Sequence, residues 1–377
     1  EEVQTLIDAW EEARPGITVK HDPVSFDTAE DNFRRAAEAG NAPDILRADI
    51  GWTIAFADDG FLLDLAPLVD LSDFLPAPLE TASWKGGTYG VPHVTDALGM
   101  QCNNALLAEA GLEAAPTSWD ELVEAGSTIA DLEAQQYGYY QNSQGYYAQT
   151  FTWGWGGQLY NVNEDGSVDV LINSPESIEG WNYLKDNILG VIAPATWDFP
   201  NSYGNIAAAF KDGTLMCTMN GPWSVGDHLS GAAFEDASNL VIAPVPEGTP
   251  GNTGTPVGGH NYVVYALVAN DEAKQAAVID LLEYINGAEA QAFLATGPLG
   301  LLPTRSSAYE LESVQDAPLI AAWGPVMEKA TNRVGHPKSS AMYVPYDREF
   351  EAFLSGSKTA EQALADLEAA WVDLFSS

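Results

Sequence analysis

Within its first fifty residues the chain switches twice between a helical and an extended pattern, and this alternation restricts the fold more than any other feature. Val3, Leu6, Ile7 and Trp10 fall on one helical face over residues 1–14, and Pro15-Gly16 ends the run. A strand is expected at residues 17–21. Asp27 with Glu30 three residues later reads as a capping box opening a helix to about Ala39, closed by Gly40. Pro43-Asp44-Ile45-Leu46 then reads as a short buried strand. Elements in this order make an α/β lobe, with helices on both faces of a sheet. The same grammar returns after residue 100. Thr117 ahead of Trp119-Asp120-Glu121-Leu122 reads as a cap, and Ser174-Pro175-Glu176 gives a cap with proline at the first helical position. Asn270 is expected to open a helix through Ile285 that Gly287 closes. Thr359 with Gln362 opens the last helix, which should bury Leu364, Leu367, Trp371 and Leu374.

A chain of 377 residues exceeds what one hydrophobic core usually serves, so two lobes are expected. Neither a repeat nor a low-complexity tether is visible, which implies several short crossings between the lobes. The charges divide as 54 Asp+Glu against 15 Lys+Arg, a formal net charge of -39. Nucleic acid and anionic lipid are disfavoured as partners on that balance, because phosphate recognition needs clustered Lys or Arg. An acidic surface of this kind serves solubility, as in a saline setting. Apolar runs such as residues 261–268 stop short of the ~18 residues that a membrane helix needs. The helical pattern starts at Glu1 itself, as if residues ahead of it had been removed, so the true N-terminus is expected upstream.

Metal and cofactor chemistry finds no support. The five histidines are scattered, and Cys102 and Cys217 are too few and too far apart for a zinc knuckle. Asn161, Asn163, Asp165, Gly166 and Asp169 partly match a calcium loop, but Ile172 stands where the bidentate Glu belongs, and a hairpin with an Asp-Gly turn fits better. There is no phosphate loop and no nucleophile elbow. Paired carboxylates could serve a glycosidase, yet among 54 acids no spacing singles out a pair. The strongest compositional signal is aromatic: 11 Trp and 15 Tyr, grouped at Tyr139-Tyr140, Tyr146-Tyr147, Trp153, Trp155 and Trp223. Sugar rings have an apolar C–H face and a polar rim, so their sites want flat rings beside acidic or amide acceptors. Any single one of these rings reads more readily as core, and it is the set that points to a sugar site.

Several segments, in one order, resemble the family 1 extracellular solute-binding proteins of ABC importers, especially the maltose and maltodextrin binders. They are Gly40-Asn41-Ala42-Pro43-Asp44-Ile45-Leu46, Tyr89-Gly90-Val91-Pro92 running into Thr95-Asp96-Ala97-Leu98, and Phe210-Lys211-Asp212-Gly213. Met219-Asn220-Gly221-Pro222-Trp223, Gly258-Gly259-His260-Asn261-Tyr262 and Leu301-Leu302-Pro303-Thr304-Arg305 continue the series. The resemblance implies a class II periplasmic-binding-protein-like α/β fold with a ligand cleft between two lobes. It puts residues 1–95 plus 256–303 in the N-terminal lobe and 100–250 plus 308–377 in the C-terminal lobe, with hinges near 95–99, 251–256 and 304–308. It also implies a first strand ahead of Glu1.

Carried over by motif, Asp49 and Asp96 resemble the family's carboxylate ligands for sugar hydroxyls, with Trp52 one turn beyond Asp49 on the same loop. Trp223 resembles the main stacking platform, Tyr146 and Tyr147 an aromatic pair bracketing a further ring, and Tyr343 a late aromatic of the cleft, with Tyr346 a weaker neighbour. Gly259-His260 stands where relatives often have glycine then tryptophan, so the preferred sugar is left open. The resemblance also makes the strands of Cys102 and Cys217 neighbours, and a disulfide between them plausible. The implied function is a non-enzymatic, monomeric receptor outside the cytoplasmic membrane, periplasmic or lipid-anchored. It captures maltose or a short maltodextrin without a cofactor and delivers it to a membrane permease. Trehalose, sucrose or an α-1,6-linked glucoside are the alternative ligands. A glycoside hydrolase and a carbohydrate-adhesion module are the alternative classes.

Overall fold

The computed structural model describes residues 2–376. Its two main sheets are built from β1 (Ile45–Asp49), β2 (Val91–Ala97), β3 (Gly99–Asn103), β4 (Tyr137–Tyr139), β5 (Leu215–Asn220), β6 (Leu240–Ala243) and β7 (Val257–Val264). The helices that matter for the site are α1 (Glu2–Glu12), α2 (Phe26–Glu38), α3 (Ile50–Asp58), α4 (Trp119–Ile129), α5 (Gly145–Trp153), α6 (Pro175–Tyr183), α7 (Ser202–Lys211), α8 (Val225–Leu229), α9 (Glu272–Ile285), α10 (Ala288–Thr296), α11 (Tyr343–Leu354) and α12 (Ala360–Ser376). The chain divides into two compact units. One runs through Asp96 and takes in Gly258–Ala321 and Gly335–Ser340, and the other holds Ala97–Val257, Ala322–Val334 and the chain from Ala341 on.

In the first unit the sheet order is β1-β7-β2, and β1 runs antiparallel to β7 with Arg47 opposite Tyr262 and Asp49 opposite His260. Its core gathers Trp10, Phe33, Phe56, Leu65, Val263 and Leu282 from helices and sheet. Residues 17–21 form no strand. They lie mostly exposed and outside any ladder, so nothing offsets the cost of extending them. The crossing expected at 304–308 also moves. Gln291 Oε1 accepts from the backbone N–H groups of Thr304 (2.8 Å) and Arg305 (2.9 Å), and Asp73 takes up Ser307, which fixes this stretch to the first unit as far as Ala321. Residues 335–340 return to the same unit, where Gly335 packs against Ile54 and Ser340 Oγ donates to Glu30 at 3.0 Å.

In the second unit the order is β6-β3-β5-β4, antiparallel except for the parallel β4–β5 pair. Cys102 and Cys217 face each other across β3 and β5 and form a disulfide with a Cα–Cα distance of 4.1 Å. Burial on both faces explains why β5 reads Leu-Met-Cys-Thr-Met-Asn without a polar alternation. Trp181, Tyr346, Phe350, Phe353 and Trp371 build an aromatic core among α6, α11 and α12. Residues 160–170 form an antiparallel hairpin, with Gly166 at φ +83° in the turn.

The helix starts show which caps compete best. Ser174 caps α6 with proline following, and Thr359 and Gln362 exchange two hydrogen bonds of 3.1 and 3.3 Å as a full capping box. At α4 the cap is Ser118, one residue later than expected, while Thr117 bonds to Glu121 from outside the helix. At α9 it is Asp271 rather than Asn270. At α2 Ser25 takes the N-cap position, and Glu30 turns to Ser340 and Arg34 instead of back to Asp27.

Candidate functional site

The first unit supplies acids on a strand edge. Asp49 ends β1 and caps α3, its Oδ1 accepting the Gly51 N–H at 2.7 Å. A strand that ends on an N-cap acid turns its carboxylate out of the ladder while the N-terminal end of the helix holds it. His260, half-buried, is its register partner on β7. Gly259 has φ +150°, and a Cβ there would come within 2.5 Å of the Val94 carbonyl oxygen, so the close approach this glycine serves is that of β7 to β2. Asp96 is buried near the end of β2. Arg47 sits on the same face of β1 as Asp49, in the field of Tyr262, Asp96 and Asp49; burial pulls its guanidinium below the ordinary arginine value against those three. Burial likewise raises the Glu30 carboxyl, with the nearby Asp49 charge adding to the rise.

Trp52 departs from expectation. It lies in the first turn of α3, not in a loop, and is buried under Phe26, with ring centroids 4.8 Å apart. Phe26 itself is 57% exposed and meets His260 edge-on at 6.0 Å, so it presents the open aromatic surface here. Nothing in the local pattern marks Phe26, because its partners are 26 and 234 residues away.

The second unit supplies rings. Tyr146 and Tyr147 occupy the first turn of α5 and meet edge-to-face at 5.8 Å. Tyr147 is buried, its hydroxyl donating to Asn220 Oδ1 at 3.4 Å. Tyr146 is half-buried, 6.2 Å from Tyr343, with the Arg333 guanidinium over its ring at 5.7 Å. Gln149 Nε2 ties this group together, donating to the Tyr146 carbonyl and to the Tyr343 hydroxyl, each at 3.1 Å. Asp347, one turn beyond Tyr343, accepts the Gly145 N–H at 2.6 Å and so caps α5 from α11; burial pushes its carboxyl up to about 6. Tyr346 is fully buried and stacked 6.2 Å from Trp181, which removes it from the candidates.

Trp223 stands in a single 3-10 turn, Pro222–Ser224, and is 37% exposed. Its ring folds over Gly221, where a Cβ would come within 1.9 Å of the indole. Tyr203, 42% exposed in the first turn of α7, directs its hydroxyl at the side chains of Asn220 and Trp223. Sequence reasoning missed Tyr203, although it lies just upstream of the Phe210-Lys211-Asp212-Gly213 motif.

The first unit thus joins Asp49, Gly259 and His260, with Asp96 and Arg47 in one electrostatic group, and the second joins Tyr146, Tyr147 and Tyr343, with Trp223 and Tyr203 linked to Tyr147 through Asn220. Among the described residues no group of three His, Cys, Asp or Glu side chains converges to hold a metal ion. Carboxylate acceptors, guanidinium donors and open aromatic faces are binding chemistry for a neutral polyol ring.

Comparison with known proteins gives the family and the fold. Residues 5–322 match the model of the bacterial extracellular solute-binding protein family. The GacH receptor of Streptomyces glaucescens, solved unliganded and with acarbose and an acarbose homolog, is 32% identical, with a TM-score of 0.91 covering 100% of this chain and 95% of that one. Maltose-bound MalE3 of T. maritima shares the fold at a TM-score of 0.87 and 22% identity, over 99% of this chain and 96% of that one. The maltotriose-binding protein of Pyrococcus abyssi is 24% identical over 343 residues, 88% of this chain and 70% of that protein.

Proposed function

The chain belongs to the bacterial extracellular solute-binding protein family, and from that premise we propose that it captures a short α-glucoside, maltose or a maltodextrin, and delivers it unaltered to the membrane permease of an ABC importer. The observation that carries this reading is the full-length match, at 32% identity, to a receptor solved with acarbose. Its relatives are solute-binding proteins, not enzymes. No helix among the described residues is long and apolar enough to cross a membrane. The family's description as extracellular supports a place outside the cytoplasmic membrane, and we read the protein there as a monomeric receptor.

In this reading Asp49 and Asp96 accept hydrogen bonds from sugar hydroxyls. A carboxylate does so about twice as strongly as a neutral oxygen. Trp223 provides the principal stacking face, and Tyr146, Tyr147 and Tyr343 frame a further ring. Gly259 and His260 shape the rim beside Asp49. Trp52 acts as the support beneath Phe26.

Isothermal titration against maltose, maltotriose, maltotetraose, trehalose, sucrose and isomaltose tests the proposal. Binding of a maltodextrin with recovery of the intact sugar is expected, and Trp223→Ala should weaken it by more than about 2 kcal/mol, as loss of a central aromatic anchor does. Hydrolysis of the sugar, or heat only from a non-glucan ligand, would reject it.

A further inference from the structure

The turn that carries Trp223 is held from beneath by three buried polar side chains outside the motifs described above. Gln101, on β3, is wholly buried and donates Nε2 to the Gly221 carbonyl (3.0 Å) and to Ser224 Oγ (2.9 Å). Ser224 Oγ donates in turn to the same carbonyl at 2.8 Å. The other end of the amide, Oε1, lies 2.7 Å from Nδ1 of His228 on α8, which is also buried. A carbonyl oxygen can only accept, so Nε2 must face Gly221, and Oε1 is left as the acceptor. His228 therefore carries its proton on Nδ1 and donates it to Gln101.

The sheet does not need this network. β3 and β5 are already paired, Gln101 opposite Thr218, and the disulfide pins them one residue further on. What the network adds is a tether from that fixed ladder to the segment 221–228, which lies outside it. Burying an amide and an imidazole is costly unless both are satisfied, and a satisfied polar network favours one geometry where apolar contacts would permit several. The indole above rests on Gly221, the residue whose carbonyl receives both tethers.

We propose that Gln101 and His228 are positioning residues for the Trp223 platform: they hold the Gly221–Ser224 turn in one conformation, so the indole face is set before the sugar arrives and its ordering cost is not charged to binding. The proposal rests on the reading of Trp223 as a ligand platform.

The test combines calorimetry with maltotriose and NMR relaxation of the Trp223 indole N–H, assigned with Trp223→Phe. Gln101→Leu should weaken maltotriose binding about tenfold, the measure of a buried hydrogen bond left unmade. It should loosen the indole in the unliganded protein. His228→Asn keeps a donor at the Nδ1 position and should bind like wild type, whereas His228→Leu should resemble Gln101→Leu. In a Trp223→Ala background Gln101→Leu should cost nothing further. A folded Gln101→Leu protein with wild-type affinity and a rigid indole overturns the proposal, as does an equal loss in the Trp223→Ala background. If Gln101→Leu does not fold, Ser224→Ala and the two His228 variants carry the same comparison. If wild-type protein binds no oligosaccharide, the sugar reading fails, and the indole relaxation of the variants alone upholds or rejects the positioning role.

Discussion

A histidine buried without a carboxylate beside it ties folding to pH, and His93 is such a residue. Its ring lies against Tyr262 at 4.5 Å, and its Nδ1 is 3.1 Å from Asn286 Oδ1. Burial pulls the imidazole down to about 3, and the positive charge of Arg47 acts in the same direction. The unfolded chain, titrating near 6.5, then binds a proton that the native state refuses between about pH 3 and 6.5, so the contribution is complete above that window and is lost as the pH falls through it. His93→Asn keeps a donor toward Asn286 but cannot titrate. Urea unfolding from pH 7.5 to 4.5 should show the wild-type advantage over this variant shrinking by up to about 1.4 kcal/mol per pH unit below 6.5. A gap that stays constant with pH would mean that the native state protonates His93 freely. Single residues were legible in the sequence where a local pattern fixed their surroundings. Asp49 is marked by the resemblance, as the acid following Pro43-Asp44-Ile45-Leu46, and it does end β1. Trp52 and Tyr346 do not read as buried, since Phe26 and Trp181, which cover them, come from distant parts of the chain.

At the scale of elements, what the sequence reveals depends on how many partners compete for the same groups. The box at Thr359 and Gln362 lies in an exposed turn within one stretch of chain, and it forms as read. The one expected at Asp27 loses to Ser25 as cap and to Ser340 and Arg34 as partners of Glu30, and the second of those losses is tertiary. The strand expected at residues 17–21 fails for a related reason: period alone cannot supply the neighbour that a ladder requires. The β3–β5 pair shows no alternation and was made a neighbour pair by the resemblance alone, and its disulfide is the element with the largest expected stake in stability. It spans 115 residues of sequence, which on the chain-entropy account is worth about 4 to 5 kcal/mol. Cys102→Ala with Cys217→Ala should lower the unfolding free energy by that order, measured by urea titration against the oxidised protein. A difference below about 1 kcal/mol would show that the unfolded chain is already compact around this pair.

For the whole molecule, two units were expected because length and repeated α/β grammar demand them, but the path of the chain beyond residue 303 was not legible. The stretch from Thr304 to Ala321 joins the first unit through Gln291 and Asp73, contacts that no local pattern announces. Net charge, by contrast, is read directly from sequence, and its consequence is global. Fifteen cations can neutralise at most a matching number of the 54 acids, so the surplus of 39 negative charges must share one surface. Unfolding moves those charges apart, and the folded state bears the repulsion. Ion pairs such as Lys20–Asp22 and Lys274–Asp44 are exposed and contribute little each. Screening should therefore relieve more repulsion than it costs in attraction. Raising NaCl from about 0.01 M to 1 M shortens the Debye length from about 30 Å to about 3 Å, and the midpoint of thermal unfolding should rise by several degrees across that range. Most of the rise should come below about 0.3 M, and KCl should act as NaCl does, because screening depends on ionic strength rather than on the identity of the ion. A midpoint that is flat or falls with salt would mean that local pairs, not the surplus charge, govern stability, and a rise seen with only one of the two cations would indicate ion binding at a specific site.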